Sequence, residues 1–203
     1  MYYKLRLIYS FRYYLSSEVK WKLSQSLILN QLSYCSSVYY FFSPLYVVHL
    51  VQKLQNSCLR YSYNISRSDH VTPYYVRYNI LKCGFWFLMQ YAVLIFKILK
   101  SSKPEYLYRY FRSRNQCHNV DVRNRNAMCI PTHNLVGFER CFAYQAVKIM
   151  NSHLDLYLNC NNVDSFKKQI KKHLLVEQAN LTWLINGNNL VQSYFLGLSG
   201  RTA

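Results

Sequence analysis

The sequence predicts a mainly α chain with an irregular Arg-rich loop or short β segment in its middle. Three observations carry that expectation. Apolar residues recur at helical spacing over long stretches, and only 5 Gly and 4 Pro interrupt 203 residues. Helix-start signals, a Ser or Thr ahead of a proline or an acid, mark the edges of those stretches. A hydrophobic share of 51% is too high for a disordered chain and enough to build a core.

The first long helix is expected from Ser17 to Tyr40, capped by Ser16 or Ser17. Glu18 lies in its first turn, where the helix dipole favours negative charge. Val19, Leu23, Ser26, Leu27, Asn30 and Tyr34 mark its stripe, which Leu29 and Leu32 widen. Ser43-Pro44 supplies an N-cap and an N1 proline for a second helix over 45–62. There Leu50, Val51, Leu54 and Cys58 form the apolar stripe, while Gln52, Lys53, Gln55, Asn56 and Arg60 face away. A polar turn, Ser66 to His70, leads to Thr72-Pro73, which opens a short helix ending near Cys83, with Gly84 as its C′ residue. Phe85, Leu88, Ala92, Ile95 and Leu99 then follow helical periodicity until Ser101-Ser102-Lys103-Pro104 stops the run.

Residues 112–140 are the least regular, with short strands expected at Val120–Val122 and Ala127–Ile130. A helix over Phe142–Leu154 follows. Asp164 then caps a basic helix, Ser165–Val176, with Phe166, Ile170 and Leu174 spaced four apart. The organisation expected is a helical region over 1–110, a basic region over 111–178, and a fraying Asn- and Gly-rich tail over 179–203.

Charge narrows the functional classes. Lys and Arg number 25 against 8 Asp and Glu, a net +17, which repels itself in a compact monomer unless a polyanion neutralises it. Nucleic acid is the first candidate partner, and an anionic membrane surface the second. Polymerase or nuclease chemistry needs clustered carboxylates to hold divalent ions. The eight acids are scattered, none adjacent to another, and no Tyr-x-Asp-Asp turn occurs. No G-x-S-x-G elbow or Gly-rich phosphate loop is present either. Catalysis by this chain alone is therefore not expected, and neither is a resident cofactor. Cys117, His118, Cys129, His133 and Cys141 are spaced unlike a zinc finger. Seven cysteines without a CxxC and with no secretory signal suggest free, mostly buried thiols in a reducing compartment, the nucleus or cytoplasm. The apolar run Phe85–Phe96 is shorter than the roughly twenty residues a bilayer needs, so a core helix is expected rather than a membrane span.

Binding then falls to basic surface. Lys167, Lys168, Lys171 and Lys172 lie opposite the apolar stripe of their helix, a set suited to phosphate. Arg109, Arg112, Arg114, Arg123 and Arg125 neighbour Tyr106, Tyr108 and Tyr110, mixing phosphate-gripping cations with rings that stack on bases. Lys53 and Arg60 add two cations to the second helix.

Several ordered segments also resemble one family. The segments are Leu5 to Arg12, Lys22 to Cys35, Gln52 to Arg60, and His70-Val71-Thr72-Pro73. After them come Gln90–Lys100 with its Lys103-Pro104-Glu105-Tyr106-Leu107 exit, and Phe166-Lys167-Lys168-x-Ile170-Lys171. Over residues 4–178 they resemble, in order, the region C-terminal to the polymerase palm in reverse transcriptases of insect non-LTR (LINE-type, jockey-like) retrotransposons. The resemblance implies a helical thumb-like bundle, a non-catalytic fragment that grips template RNA or an RNA–DNA duplex. It further implies an upstream palm as partner, holding the magnesium ions of an RNA-directed DNA polymerase. At Met150-Asn151-Ser152-His153-Leu154 the chain lacks the proline that the family carries after its central arginine. Two alternatives stand beside this reading: a small basic membrane-associated protein, and a non-functional remnant of the element.

Overall fold

The computed structural model describes residues 2–41, 43–117 and 126–184. It is mainly helical, with no strand among the described residues. In chain order the helices are α1 (Tyr2–Tyr9), α2 (Ser17–Ser24), α3 (Asn30–Ser33), α4 (Ser36–Tyr39), α5 (Leu45–Tyr63) and α6 (Thr72–Arg77). They continue as α7 (Cys83–Ser101), α8 (Glu105–Tyr108), α9 (Arg114–Cys117), α10 (Phe142–Ser152), α11 (Leu154–Asn159) and α12 (Val163–Leu184). A π turn, Gln25–Leu29, joins α2 to α3, and a 3₁₀ turn, Val136–Arg140, precedes α10. The chain divides into two compact units. One is Met1–Phe87 with Leu175–Leu190, the other Leu88–Leu174 with Val191–Ala203.

In the first unit the expected stripe of the first helix holds only at Leu29 and Leu32, which are buried. Val19, Leu27 and Tyr34 are exposed, and the buried face is Lys20, Ser24, Ile28 and Leu32. At 3.6 residues per turn, positions four apart drift around the helix, but the wider π turn slows that rotation and keeps all four on one side. Lys20 remains tolerable there because its Nζ donates to Asn64 Oδ1 at 3.2 Å and lies 5.9 Å from the Tyr61 ring centre. Nor does the helix run unbroken to Tyr40: Tyr34 turns extended and Cys35 adopts a left-handed conformation (φ 53°) before α4.

α5 follows its expected span and ends where Asn64 takes the left-handed conformation (φ 53°) that closes many helices. Pro44 itself occupies its N-cap, and the Ser43 hydroxyl donates to Tyr39 O instead. Leu59, Val71, Tyr75 and Ile80 form a core cluster, with Trp21 and Tyr63 packed against it. Two expected assignments on α5 are reversed: Leu50 is exposed and Gln55 is buried.

The reason lies in segment 80–83, between α6 and α7. Its backbone is bonded by two glutamine side chains, each to alternate residues. Gln55 Nε2 donates to Leu81 O at 2.8 Å, and Gln55 Oε1 accepts from Cys83 N at 2.8 Å. Gln178 of α12 donates to Ile80 O at 3.1 Å and accepts from Lys82 N at 2.8 Å. The two amides satisfy backbone groups that burial would otherwise penalise. Gly84 therefore does not end α6. Asn79 (φ 51°) makes the left-handed turn, and Gly84 lies in the first turn of α7.

In the second unit, Phe166, Ile170 and Leu174 of α12 are completely buried. Phe166 stacks on Phe96 at 4.4 Å and tilts against Tyr157 at 4.8 Å, while Tyr157 Oη donates to Ala92 O at 3.0 Å. The cap of α12 is Asn162 rather than Asp164: its Oδ1 accepts from Asp164 N at 3.2 Å, and its carbonyl accepts from Phe166 N. The expected strand at Ala127–Ile130 reduces to one antiparallel bridge, Ser113 with Met128, and Val120–Val122 lies outside the described residues. The expected tail lies outside them beyond Leu184, and α12 runs eight residues further than Val176.

Candidate nucleic-acid interface

Lys167, Lys168, Lys171 and Lys172 are all exposed on α12. At about 100° per residue they share an arc of about 140°, opposite the arc anchored by Phe166 and Ile170. Burial of that apolar edge fixes the helix's rotation, so the lysines cannot turn inward. Four ammonium groups on long stems then face solvent along less than two turns.

The arginines divide by partner. Arg109 ion-pairs with Glu105 at 2.6 Å, one turn away on exposed surface, so part of its charge is already answered. Around it Tyr106, Tyr108 and Tyr110 are exposed. Arg112 and Arg114 flank Ser113 at the antiparallel bridge: Arg112 O accepts from Cys129 N at 2.8 Å, and Arg114 N donates to Ala127 O at 2.9 Å. Their backbones are pinned, leaving the Arg112 side chain exposed and that of Arg114 half-buried. Arg123 and Arg125 lie outside the described residues.

That bridge is held at both ends. Ser113 and Gln116 tie down the start of α9, with Gln116 N donating to the Ser113 backbone carbonyl at 3.0 Å and Gln116 Oε1 accepting from Ser113 N at 3.3 Å. On α10, Asn151 accepts from Met128 N at 2.8 Å and donates to Met128 O at 3.0 Å.

In the first unit Lys53 is exposed on α5. Arg60 is committed differently, donating to Ser66 O and, at 2.8 Å, to Asp69 O, so its guanidinium closes the turn after α5. The structure also shows a cluster that the sequence reading passed over. Arg12 lies 4.8 Å from the Tyr9 ring centre and 4.3 Å from that of Tyr13, and donates to both hydroxyls. Tyr2, Tyr3, Phe11 and Tyr14 of the same segment are exposed, as is Arg6. The signal was present as alternating rings and cations over residues 2–14, the same pattern used at 106–114.

No family model matches the chain, and no curated protein or solved structure matches it either.

His133 stacks on Phe138 and lies 3.4 Å from Glu139 Oε1, while the rings of His153 and His173 meet edge to face at 5.0 Å. α7 is long and apolar enough to cross a membrane by length and composition, yet 67% of its apolar window is buried within the protein.

Proposed function

We propose that this chain is a non-catalytic nucleic-acid grip, the thumb-like C-terminal region of a non-LTR reverse transcriptase, holding template RNA or an RNA–DNA duplex. One observation supports it most: four exposed lysines on the solvent arc of α12, in a chain of net charge +17. Lys167, Lys168, Lys171 and Lys172 contact phosphates and neutralise them. Arg112 and Arg114 add forked donors, and exposed Tyr106, Tyr108 and Tyr110 supply flat surfaces for unpaired bases. Polymerisation and its magnesium ions belong, in this reading, to a palm upstream.

Binding of this kind releases counterions, so affinity falls steeply with salt. Fluorescence anisotropy of the purified chain with a labelled RNA–DNA duplex tests it. A loss of at least about tenfold between 50 and 200 mM salt is expected. An affinity that barely changes over that range would sink the proposal.

A further inference from the structure

α12 carries a second set of side chains beside its buried stripe. His173 and Glu177 stand four residues apart on that helix, which stacks them on one face. Each directly precedes a buried residue, Leu174 and Gln178 respectively, so both lie along the edge of the packed side. Against that edge comes His153, buried at the junction of α10 and α11. Its backbone is fixed there, its N–H donating to Met150 O at 3.2 Å and its carbonyl accepting from Leu156 N at 3.0 Å. The His153 ring meets that of His173 edge to face, and the ligating atoms of His153, His173 and Glu177 all lie within 4.8 Å of one another. Glu177 adds an independent sign: its Oε2 is buried yet has no hydrogen-bond partner among the described residues. A carboxylate oxygen taken from water without a donor is costly, and a cation answers it.

We propose that His153, His173 and Glu177 form a zinc site that clips α12 to the corner between α10 and α11. Two imidazole nitrogens and one carboxylate oxygen are a ligand set that zinc accepts, with water in the fourth position of a tetrahedron. Zinc bonds of about 2.0–2.1 Å place tetrahedral ligands about 3.3 Å apart. From separations of up to 4.8 Å, the three atoms close by at most about 1.5 Å on binding. Rotation of the exposed His173 and half-buried Glu177 side chains supplies that movement. The ion neutralises Glu177 and joins two histidines twenty residues apart, a separation that no finger-like spacing announces.

The test titrates zinc chloride into the whole chain, stripped by a chelator and kept reduced, and follows the imidazole rings by proton–nitrogen NMR. The first equivalent of zinc is expected to shift His153 and His173 and to leave the other four of the six histidines unmoved. The thermal midpoint should rise by about 5–10 °C with zinc at a hundredfold its Kd. His173→Ala and Glu177→Gln should each weaken zinc binding by at least about a hundredfold, the upper end of what loss of an outer-shell partner costs. The proposal is overturned if the first equivalent leaves the His153 and His173 rings unmoved, or moves other histidines instead. It is equally overturned if His173→Ala binds zinc as tightly as wild type. The wild-type spectra decide by themselves, so a poorly folding variant does not obscure the result.

Discussion

Replacing Gln178 with Leu removes one of the two amides that pair segment 80–83. Leucine keeps the helix propensity and approximate volume of the site, so the main loss is hydrogen bonding. Gln178 is 1% exposed, and both of its bonds go to backbone, Ile80 O and Lys82 N. Neither group has a second partner among the described residues, so each is orphaned on substitution. An unsatisfied buried group costs about 1–3 kcal/mol, and the part-buried Lys82 N–H falls at the low end. Burying leucine's apolar surface returns some of that, leaving a net destabilisation of about 2–4 kcal/mol. Gln55→Leu makes an internal comparison. It orphans Leu81 O, but Cys83 N keeps Gln52 Oε1 at 3.1 Å, and Tyr75 Oη keeps Asn56 Oδ1 at 2.7 Å. Its expected cost is smaller, about 1–3 kcal/mol. Urea unfolding followed by circular dichroism gives both values, and amide exchange at Lys82 reports the local effect. A Gln178→Leu protein within about 0.5 kcal/mol of wild type, or a costlier Gln55→Leu, would refute this pairing.

Further outcomes follow from the same packing. Phe166→Ala should cost about 3–5 kcal/mol in urea unfolding, because the ring is completely buried between Phe96 and Tyr157; a loss under about 1 kcal/mol would show that the site collapses freely. Asn162→Ala should cost about 1 kcal/mol and Asn162→Asp almost nothing, since aspartate also caps; equal losses would remove the cap assignment. Burial raises Tyr75, Tyr91 and Tyr157 above the ordinary phenol value of 10.0. The unfolded chain therefore releases these protons first, and stability present below pH 10 is lost as pH rises above it. Three such phenols give a slope of about 4 kcal/mol per pH unit. Tyrosinate absorbance should accordingly rise in one step with loss of helix; independent titration before unfolding would contradict this.

The helices were legible where apolar periodicity ran without interruption, as at Phe85–Leu99 and at Phe166, Ile170 and Leu174. Boundaries failed where the decisive contact was distant in sequence. Gln55 reads as a solvent-facing residue on any helical projection, and nothing near it announces that the chain returns at residues 80–83. The Lys20–Ser24–Ile28–Leu32 face was hidden for two reasons. Two of its members are polar, and a π turn leaves no residue-type signature. Gly84 looked like a terminator, although Asn79 had the same capacity for a left-handed turn. Within the candidate interface, the lysines on α12 were readable because one face is so plainly apolar. The commitment of Arg60 to the carbonyls of Ser66 and Asp69 was not, since it depends on how the turn folds back. Composition also could not distinguish Arg109, paired with Glu105, from Arg112 three residues on.

The most direct measurement compares salt dependence between wild type and a variant carrying Lys167→Gln, Lys168→Gln, Lys171→Gln and Lys172→Gln. All four side chains are exposed, so the circular dichroism spectrum and urea midpoint should be unchanged. If each lysine neutralises one phosphate, the slope of log affinity against log salt for an RNA–DNA duplex falls by about 3–4. A variant that folds normally and binds the duplex with the wild-type affinity and slope would contradict the assignment of α12 as the gripping surface.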